Sequence, residues 1–404
     1  MKTISFIQPS RNNLKYLKWS YNSIRKNLGY RHEICWADDF SDDGTWDWMN
    51  EIMRKDKNVQ IMRNDGPDRL GHTILYDRLV DMASNDIVMI YHADMYACPN
   101  MDVEVLKHLE RGKVVSATRI EPPLHPDGPE KILQDFGIET EEFDELGLMS
   151  FLHEEREHGE DKLTDGIFAP WAIYKEDFQA IGGHDPLYAP QSKEDSDIFN
   201  RFQLAGYETI QTWQGFVYHM TCRGSRFKDG AMRNPAGQVF MKGRESSEWL
   251  GQNLKSTRNF IRKWGHMVKH DDLMYPVIPP KYDVGFKAYN CTVDLLKELE
   301  PWCSKIYLDY GSDYMHEYRE EEQPNTAFDL QERIKMYGND DLTKRHDIIV
   351  EFDCNKLTAQ NFQIIVNLSE MLQDSAEIGE MEYDIFKFTI KSLKTYEKDL
   401  ILVK

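Results

Sequence analysis

The chain has no long apolar run. Its longest, residues 87–91, falls far short of the ~20 apolar residues that span a bilayer. The opening MKTISFIQPS has four apolar residues before Gln8 and Pro9 interrupt it, so neither a membrane span nor a signal peptide is expected. Cysteine is scarce as well: Cys35, Cys98, Cys222, Cys291, Cys303 and Cys354 are scattered without a C-x-x-C pair. A chain of 404 residues needs no disulfide staples, so these read as reduced thiols in a cytoplasm and not as a zinc site. Positive charge is also in short supply. With 49 Lys and Arg against 69 Asp and Glu the net charge is −20, which argues against a nucleic-acid partner, whose phosphates basic side chains must neutralise.

One stretch opposes that acidic balance. Between residues 222 and 263 ten basic residues face three acidic ones, suggesting a small phosphate ligand, with a solvated basic face as the alternative reading. What the chain does have is a globular composition, 41% hydrophobic and 12% aromatic, so packed cores are expected throughout. Its length exceeds what one core supports, and two domains are expected. The prolines and broken periodicity of residues 266–282 read as a linker, which separates a larger domain at 1–265 from a smaller α+β domain at 283–404.

In the first domain short apolar runs alternate with helical spacing. Strands are expected at 3–8, 32–37, 58–63 and 86–93, the first stopping at Pro9, and helices at 12–27, 46–54, 72–83 and 193–205. Such alternation implies an α/β sandwich around a largely parallel sheet, with ligands beyond the carboxyl ends of the strands. Those ends carry polar clusters at 9–12, 38–43 and 92–94. In the second domain strands are expected at 284–290, 305–309, 346–353 and 382–390, helices at 292–299 and 358–374, and an acidic loop between; a ferredoxin-like arrangement fits. No chemical motif stands out there.

Asp38 and Asp39 follow an apolar strand and can accept hydrogen bonds from a uracil imide or a ribose hydroxyl. His92 and Asp94, two residues apart, fall on one face of a strand end, where they can hold a divalent ion against a diphosphate. Gly182 and Gly183 permit a tight turn before a helix that opens with Glu194, Asp195 and Asp197. Acids suit a helix N-terminus, and Asp197 with Arg201 forms an i, i+4 pair. Ordinary capping would explain these acids, but a cleft there would also need a general base.

Taken in order, FIQPSRN, ADDFSDDGT, YHAD, IGGHD with KEDSDIFNR, and VYH resemble the motifs of GT-A glycosyltransferases of the family-2 type, with some likeness to the β-1,4-galactosyltransferase family. The resemblance covers about residues 3–220. It implies a GT-A fold, Rossmann-like with helices flanking the sheet. It also implies metal-assisted, inverting transfer from a nucleotide sugar, UDP-linked, to a glycan or other hydroxyl acceptor.

By position, the resemblance assigns Asp195 as catalytic base with Glu194 beside it, and Asp94 and His219 as ligands of Mn²⁺ or Mg²⁺. It puts Pro9, Arg11, Asp38, Asp39, His92 and Asp94 on the donor, and Gly182, Gly183, His184 and Asp197 on the acceptor side. Arg223, Arg226 and Lys228 belong to a segment expected to close over the donor phosphates. The chain departs from the pattern at His92, where the first Asp of D-x-D is usual, and at Arg11, where a Tyr is usual. A retaining transferase of the same fold and an inactive sugar- or nucleotide-binding module are the rival readings. A nucleotidyltransferase is disfavoured because PSRNN lacks its glycine-rich loop.

Overall fold

The computed structural model describes residues 2–29, 31–158, 162–223, 230–241, 245–309, 312–337, 345–375 and 377–403. Two compact units emerge: residues 1–253 with 270–276 and 402–404, and residues 254–269 with 277–401. Among the described residues no helix is long and apolar enough to cross a membrane.

The first unit begins as a repeated strand and helix: β1 (Ile4–Ser10), α1 (Leu14–Asn27), β2 (Glu33–Asp39), α2 (Thr45–Lys55), β3 (Val59–Asn64), α3 (Gly71–Met82) and β4 (Ile87–Ile90). Then come β5 (Met95–Ala97), α4 (Met101–His108), β6 (Lys113–Glu121), β7 (Lys131–Leu133), α5 (Glu145–His158), β8 (Leu163–Thr164), β9 (Trp171–Tyr174), α6 (Lys175–Ala180), α7 (Glu194–Leu204) and β10 (Glu208–His219). The ten-stranded sheet runs β3-β2-β1-β4-β9-β6-β10-β5, with β7 beside β6 and β8 beside β10. β1, β2, β3 and β4 are parallel, as are β6 and β10, while β9 lies antiparallel between the two blocks. Every residue of β1 and β2 is buried, as strands covered on both faces require.

Two expectations change here. β1 does not stop at Pro9 but runs to Ser10, pairing Pro9 with Ala37; β4 ends opposite Ile7, so only one neighbouring ladder remains where the proline withholds its N–H. β4 itself ends at Ile90, and His92 and Asp94 occupy the bend leading into β5 and not the face of a continuous strand. Buried Gln8 pins that bend, donating from Nε2 to the His92 carbonyl at 2.9 Å while its Oε1 accepts from Trp36 Nε1 at 2.7 Å.

The short hairpin β11 (Ala231–Arg233) and β12 (Val239–Met241) precedes α8 (Ser247–Trp264). In the second unit follow β13 (Val284–Tyr289), α9 (Val293–Leu299), β14 (Lys305–Leu308), α10 (Ser312–Glu322), α11 (Leu330–Arg333), β15 (Ile334–Met336), β16 (Ile348–Asp353), α12 (Phe362–Val366), α13 (Leu368–Ser375), β17 (Gly379–Tyr383) and β18 (Phe386–Ile390). The order is β15-β14-β13-β16-β18-β17. Its first four strands are parallel, which rules out a ferredoxin-like sheet. The acidic segment expected as a loop is α10, whose Met315 and Tyr318 are buried three residues apart on one helical face. The helix expected at 358–374 breaks at Asn367 into α12 and α13. The last expected strand folds back as a hairpin at Asp384, which adopts φ +54°. All five helices from α9 to α13 feed one apolar core against one face of the sheet.

The turn before α7 depends on a buried ion pair. Asp197 and Arg201 are both fully buried and meet at 2.8 Å through Nε. Arg201 also donates from Nη1 to the Ile181 carbonyl at 2.9 Å and from Nη2 to the Gly183 carbonyl at 2.6 Å. Gly183 sits at φ +66°, where an added Cβ would lie 2.2 Å from Asp77 Oδ2. Gly206, at φ +82° with nothing within 4 Å of such a Cβ, supplies the control. Gly206→Ala should cost about 1–2 kcal/mol for the left-handed backbone alone, and Gly183→Ala at least ~1 kcal/mol more for the displaced carboxylate. Urea denaturation of both variants checks this; equal losses would show that the Asp77 contact is not felt.

Candidate active site

The carboxyl ends of β1 and β4, where the strand order reverses, open onto a cavity of about 950 Å³. Such a switch point is where open α/β sheets bind ligands. Residues 9–13, the β4–β5 bend and the first residues of α7 line it together with α3 side chains and the end of β10.

His219 comes to the bend because β10 pairs with β5: His219 lies opposite Met95, and the Met220 N–H donates to the Asp94 carbonyl at 3.1 Å. One ligand atom each from His92, Asp94 and His219 falls within 4.8 Å of the others. Two imidazole nitrogens and a carboxylate oxygen on a cavity wall suit a divalent metal ion. His219 Nε2 faces Asp94 Oδ1 at 3.4 Å, and its Nδ1 meets Glu121 Oε1 at 2.7 Å. Burial alone would lower the His219 pKa, but these two carboxylates outweigh it and hold it at about 9. Against burial that would raise them, Asp94 is lowered by His219, and Glu121 by Arg119 and then His219. His92 is pushed down to about 3 by burial and then by the charge of His219.

The opening of α7 behaves in the opposite sense. Glu194 is 7% exposed, and its Oε2 finds no hydrogen-bond partner among the described residues. Burial, and then the adjacent Asp195, raise it to about 8. Asp195 is half-buried, lines the cavity and is raised by burial. Lys193 and Ser192 before them adopt φ +71° and +79°, and Ser192 Oγ donates to Asn253 Oδ1 at 2.8 Å.

The remaining expected site residues divide. Pro9, Arg11 and Arg223 line the cavity; Arg226 and Lys228 lie outside the described residues. Asp38 and Asp39 are buried and do not line it. Asp39 accepts the Leu70 and Gly71 N–H groups at 3.0 and 2.9 Å and Asn64 Nδ2 at 2.8 Å, whereas Asp38 meets Arg63 at 3.2 Å. Gly182, Gly183, His184 and Asp197 are not among the residues lining the cavity; the Gly183 carbonyl and Asp197 both bond Arg201 of α7, and His184 Nδ1 pairs with Asp77 at 2.8 Å.

Sequence reasoning missed Arg69, His72, Tyr76, His125 and Trp249, all of which line the cavity. His72 and Tyr76 are one helical turn apart at the start of α3, so their i, i+4 spacing was a signal in itself. Arg69, His125 and Trp249 carried none. Arg69 donates from Nη2 to Gln191 Oε1 at 2.6 Å.

Residues 5–179 match the sequence model of glycosyl transferase family 2. That match lies within the first unit, which has a GT-A fold and resembles the family-2 type of glycosyltransferase over those residues. Solved structures similar to this chain include GalNAc-T7 with UDP, GalNAc and Mn²⁺, at 14% identity and TM-score 0.45 over 64% of this chain and 48% of that one. S. aureus TarS 1-349 with UDP matches at 14% and 0.38, over 54% of this chain and 60% of that one. The mannosyltransferase PcManGT from Pyrobaculum calidifontis, with GDP-Man and Mn²⁺, matches at 15% and 0.39, over 55% and 58%. This chain thus spans between about half and three fifths of those proteins' length. No curated protein matches it.

The GT-A domain's raised acid has a consequence for stability. Glu194 titrates near 4.5 when unfolded and near 8 when folded. Below the lower value both states hold the proton; above it the unfolded chain releases its proton first, so stability falls as pH rises toward the folded value. Glu194→Gln cannot ionise, so it should gain on the unmutated protein as the medium goes from about pH 5 to about pH 8. Denaturant titrations across that range test the sign, and a constant difference would place Glu194 in the ordinary carboxylate range.

Proposed function

We propose that the chain transfers a sugar from a nucleoside-diphosphate donor, UDP-linked, to a hydroxyl of a saccharide or other acceptor, with inversion at the anomeric carbon. The observation carrying this reading is that one cavity holds both the His92, Asp94 and His219 cluster and the Glu194–Asp195 pair. A divalent ion, Mn²⁺ or Mg²⁺, held by the cluster would supply charge neutralisation for the leaving diphosphate.

The chain's own residues do the rest. Arg11 and Arg223 present positive charge to the diphosphate, and Arg69, which lines the cavity beside Asp39 and Gln191, adds a third cation on the donor side. Asp195 accepts the acceptor's hydroxyl proton; its raised pKa makes it a stronger base than an exposed carboxylate. The deprotonated oxygen bonds to the anomeric carbon as the bond from that carbon to the diphosphate oxygen breaks. Glu194 keeps its proton near neutral pH and can donate a hydrogen bond to a sugar hydroxyl, so the two neighbouring acids have separate tasks. We place the protein in a cytoplasm because none of its six cysteines forms a disulfide.

Asp195→Asn retains the shape of the side chain but cannot take the proton. Transfer should fall about 10²- to 10⁴-fold with donor affinity preserved. Single-turnover assays and the anomeric configuration of the product check this. A folded variant transferring at the unmutated rate removes Asp195 as base, and a product that keeps the donor's configuration removes inversion.

A further inference from the structure

We propose that Glu121 is a positioning residue for the ion site, holding His219 by Nδ1 so that Nε2 is delivered to the point it shares with His92 and Asp94. This rests on reading that cluster as the ion site. Glu121 ends β6 and is 2% exposed. β6 runs parallel to β10 with Ile120 paired to Tyr218, so the next residue on each strand is Glu121 and His219. The sheet ladder itself sets their contact, at 2.7 Å between Oε1 and Nδ1.

A neutral imidazole has one donating and one accepting nitrogen. In the neutral ring that a metal ion requires, a carboxylate on Nδ1 therefore fixes the tautomer in which Nε2 keeps its lone pair, stops the ring from turning and makes Nε2 a better ligand. The surroundings allow the role to be separated from folding. Arg119 reaches Glu121 at 3.4 Å but also Glu130 at 3.4 Å, and Glu130 meets Lys131 at 2.9 Å. Removing the Glu121 carboxylate thus leaves Arg119 with an acidic partner.

The test is Mn²⁺ binding by calorimetry to the full chain, unmutated and as Glu121→Ala, Glu121→Gln and Asp94→Ala, with ion-free thermal unfolding of each. Glu121→Ala should bind Mn²⁺ about 10- to 100-fold more weakly. Glu121→Gln, whose amide oxygen still accepts from Nδ1, should lose less, and Asp94→Ala should lose binding altogether. A merely structural Glu121 would lower the ion-free unfolding temperature and leave the affinity of the folded protein alone. If Asp94→Ala loses the ion while folded Glu121→Ala keeps the unmutated affinity, the positioning role is overturned and the ion site stands. If Glu121→Ala does not fold, unchanged affinity in Glu121→Gln overturns it equally. Failure of the unmutated protein to bind Mn²⁺ overturns the ion site and this role together.

Discussion

The GT-A unit depends on the pair Asp197 and Arg201. Two ions with no solvent exposure carry a desolvation cost that their own attraction offsets only with good geometry and further hydrogen bonds. Arg201 has those bonds. Its guanidinium gathers the carbonyls of Ile181 and Gly183 as well as the Asp197 carboxylate, and Tyr188 Oη lies 3.2 Å from the other Asp197 oxygen. The turn before α7 and the first turn of α7 therefore cannot move separately. Because Glu194 and Asp195 ride on that first turn, a pair that never touches the cavity decides where its acids stand.

The cavity then uses one chemical group in two opposite ways. Asp94 and Glu121 are buried carboxylates held low because His219 sits between them and Arg119 stands behind Glu121. Glu194 and Asp195 are carboxylates pushed high, with burial dominating and no ion pair to either one among the described residues. Which effect wins is decided by whether a cation lies within a few ångströms. The result is an end with ionised carboxylates, suited to a metal ion, and a proton-holding end, suited to acid and base work, at one cavity.

Much of this was legible in the residues because the local signals agreed. β1, β2 and β3 with their helices and the acids opening α7 followed from short-range pattern, whereas His219 beside Asp94 was expected only from the resemblance of the motifs in their order. What escaped depended on contacts far apart in the chain. Glu121 lies 98 positions from His219 and sits in TRIEPP, a run with no pattern of its own. Asp38 and Asp39 fall at a strand end as their position after an apolar run implied, but the bonds that Asp39 accepts from the N–H groups opening α3 join distant segments and left no local signal. The C-terminal unit was read with the wrong topology because periodicity locates strands but does not orient them. The hairpin at Asp384 was hidden because a single αL residue is enough to reverse a chain.

Both units share the strand order third, second, first, fourth, and in each an asparagine just past the first strand adopts φ near +50°, Asn12 at +51° and Asn290 at +52°. By topology alone the second unit should also have a ligand crevice between β13 and β16. Its groups there are already spent on one another. Asn290 Nδ2 donates to Asp353 at 2.9 Å, its N–H to Asp309 at 3.2 Å, and Cys291 and Cys354 are buried beside them. In the first unit the corresponding bend is held from below, through the His92 carbonyl by Gln8, which leaves the His92 and Asp94 side chains to the cavity. The same sheet thus closes on itself when the strand-end side chains bond across the switch point, and stays open when buried neighbours hold the backbone instead.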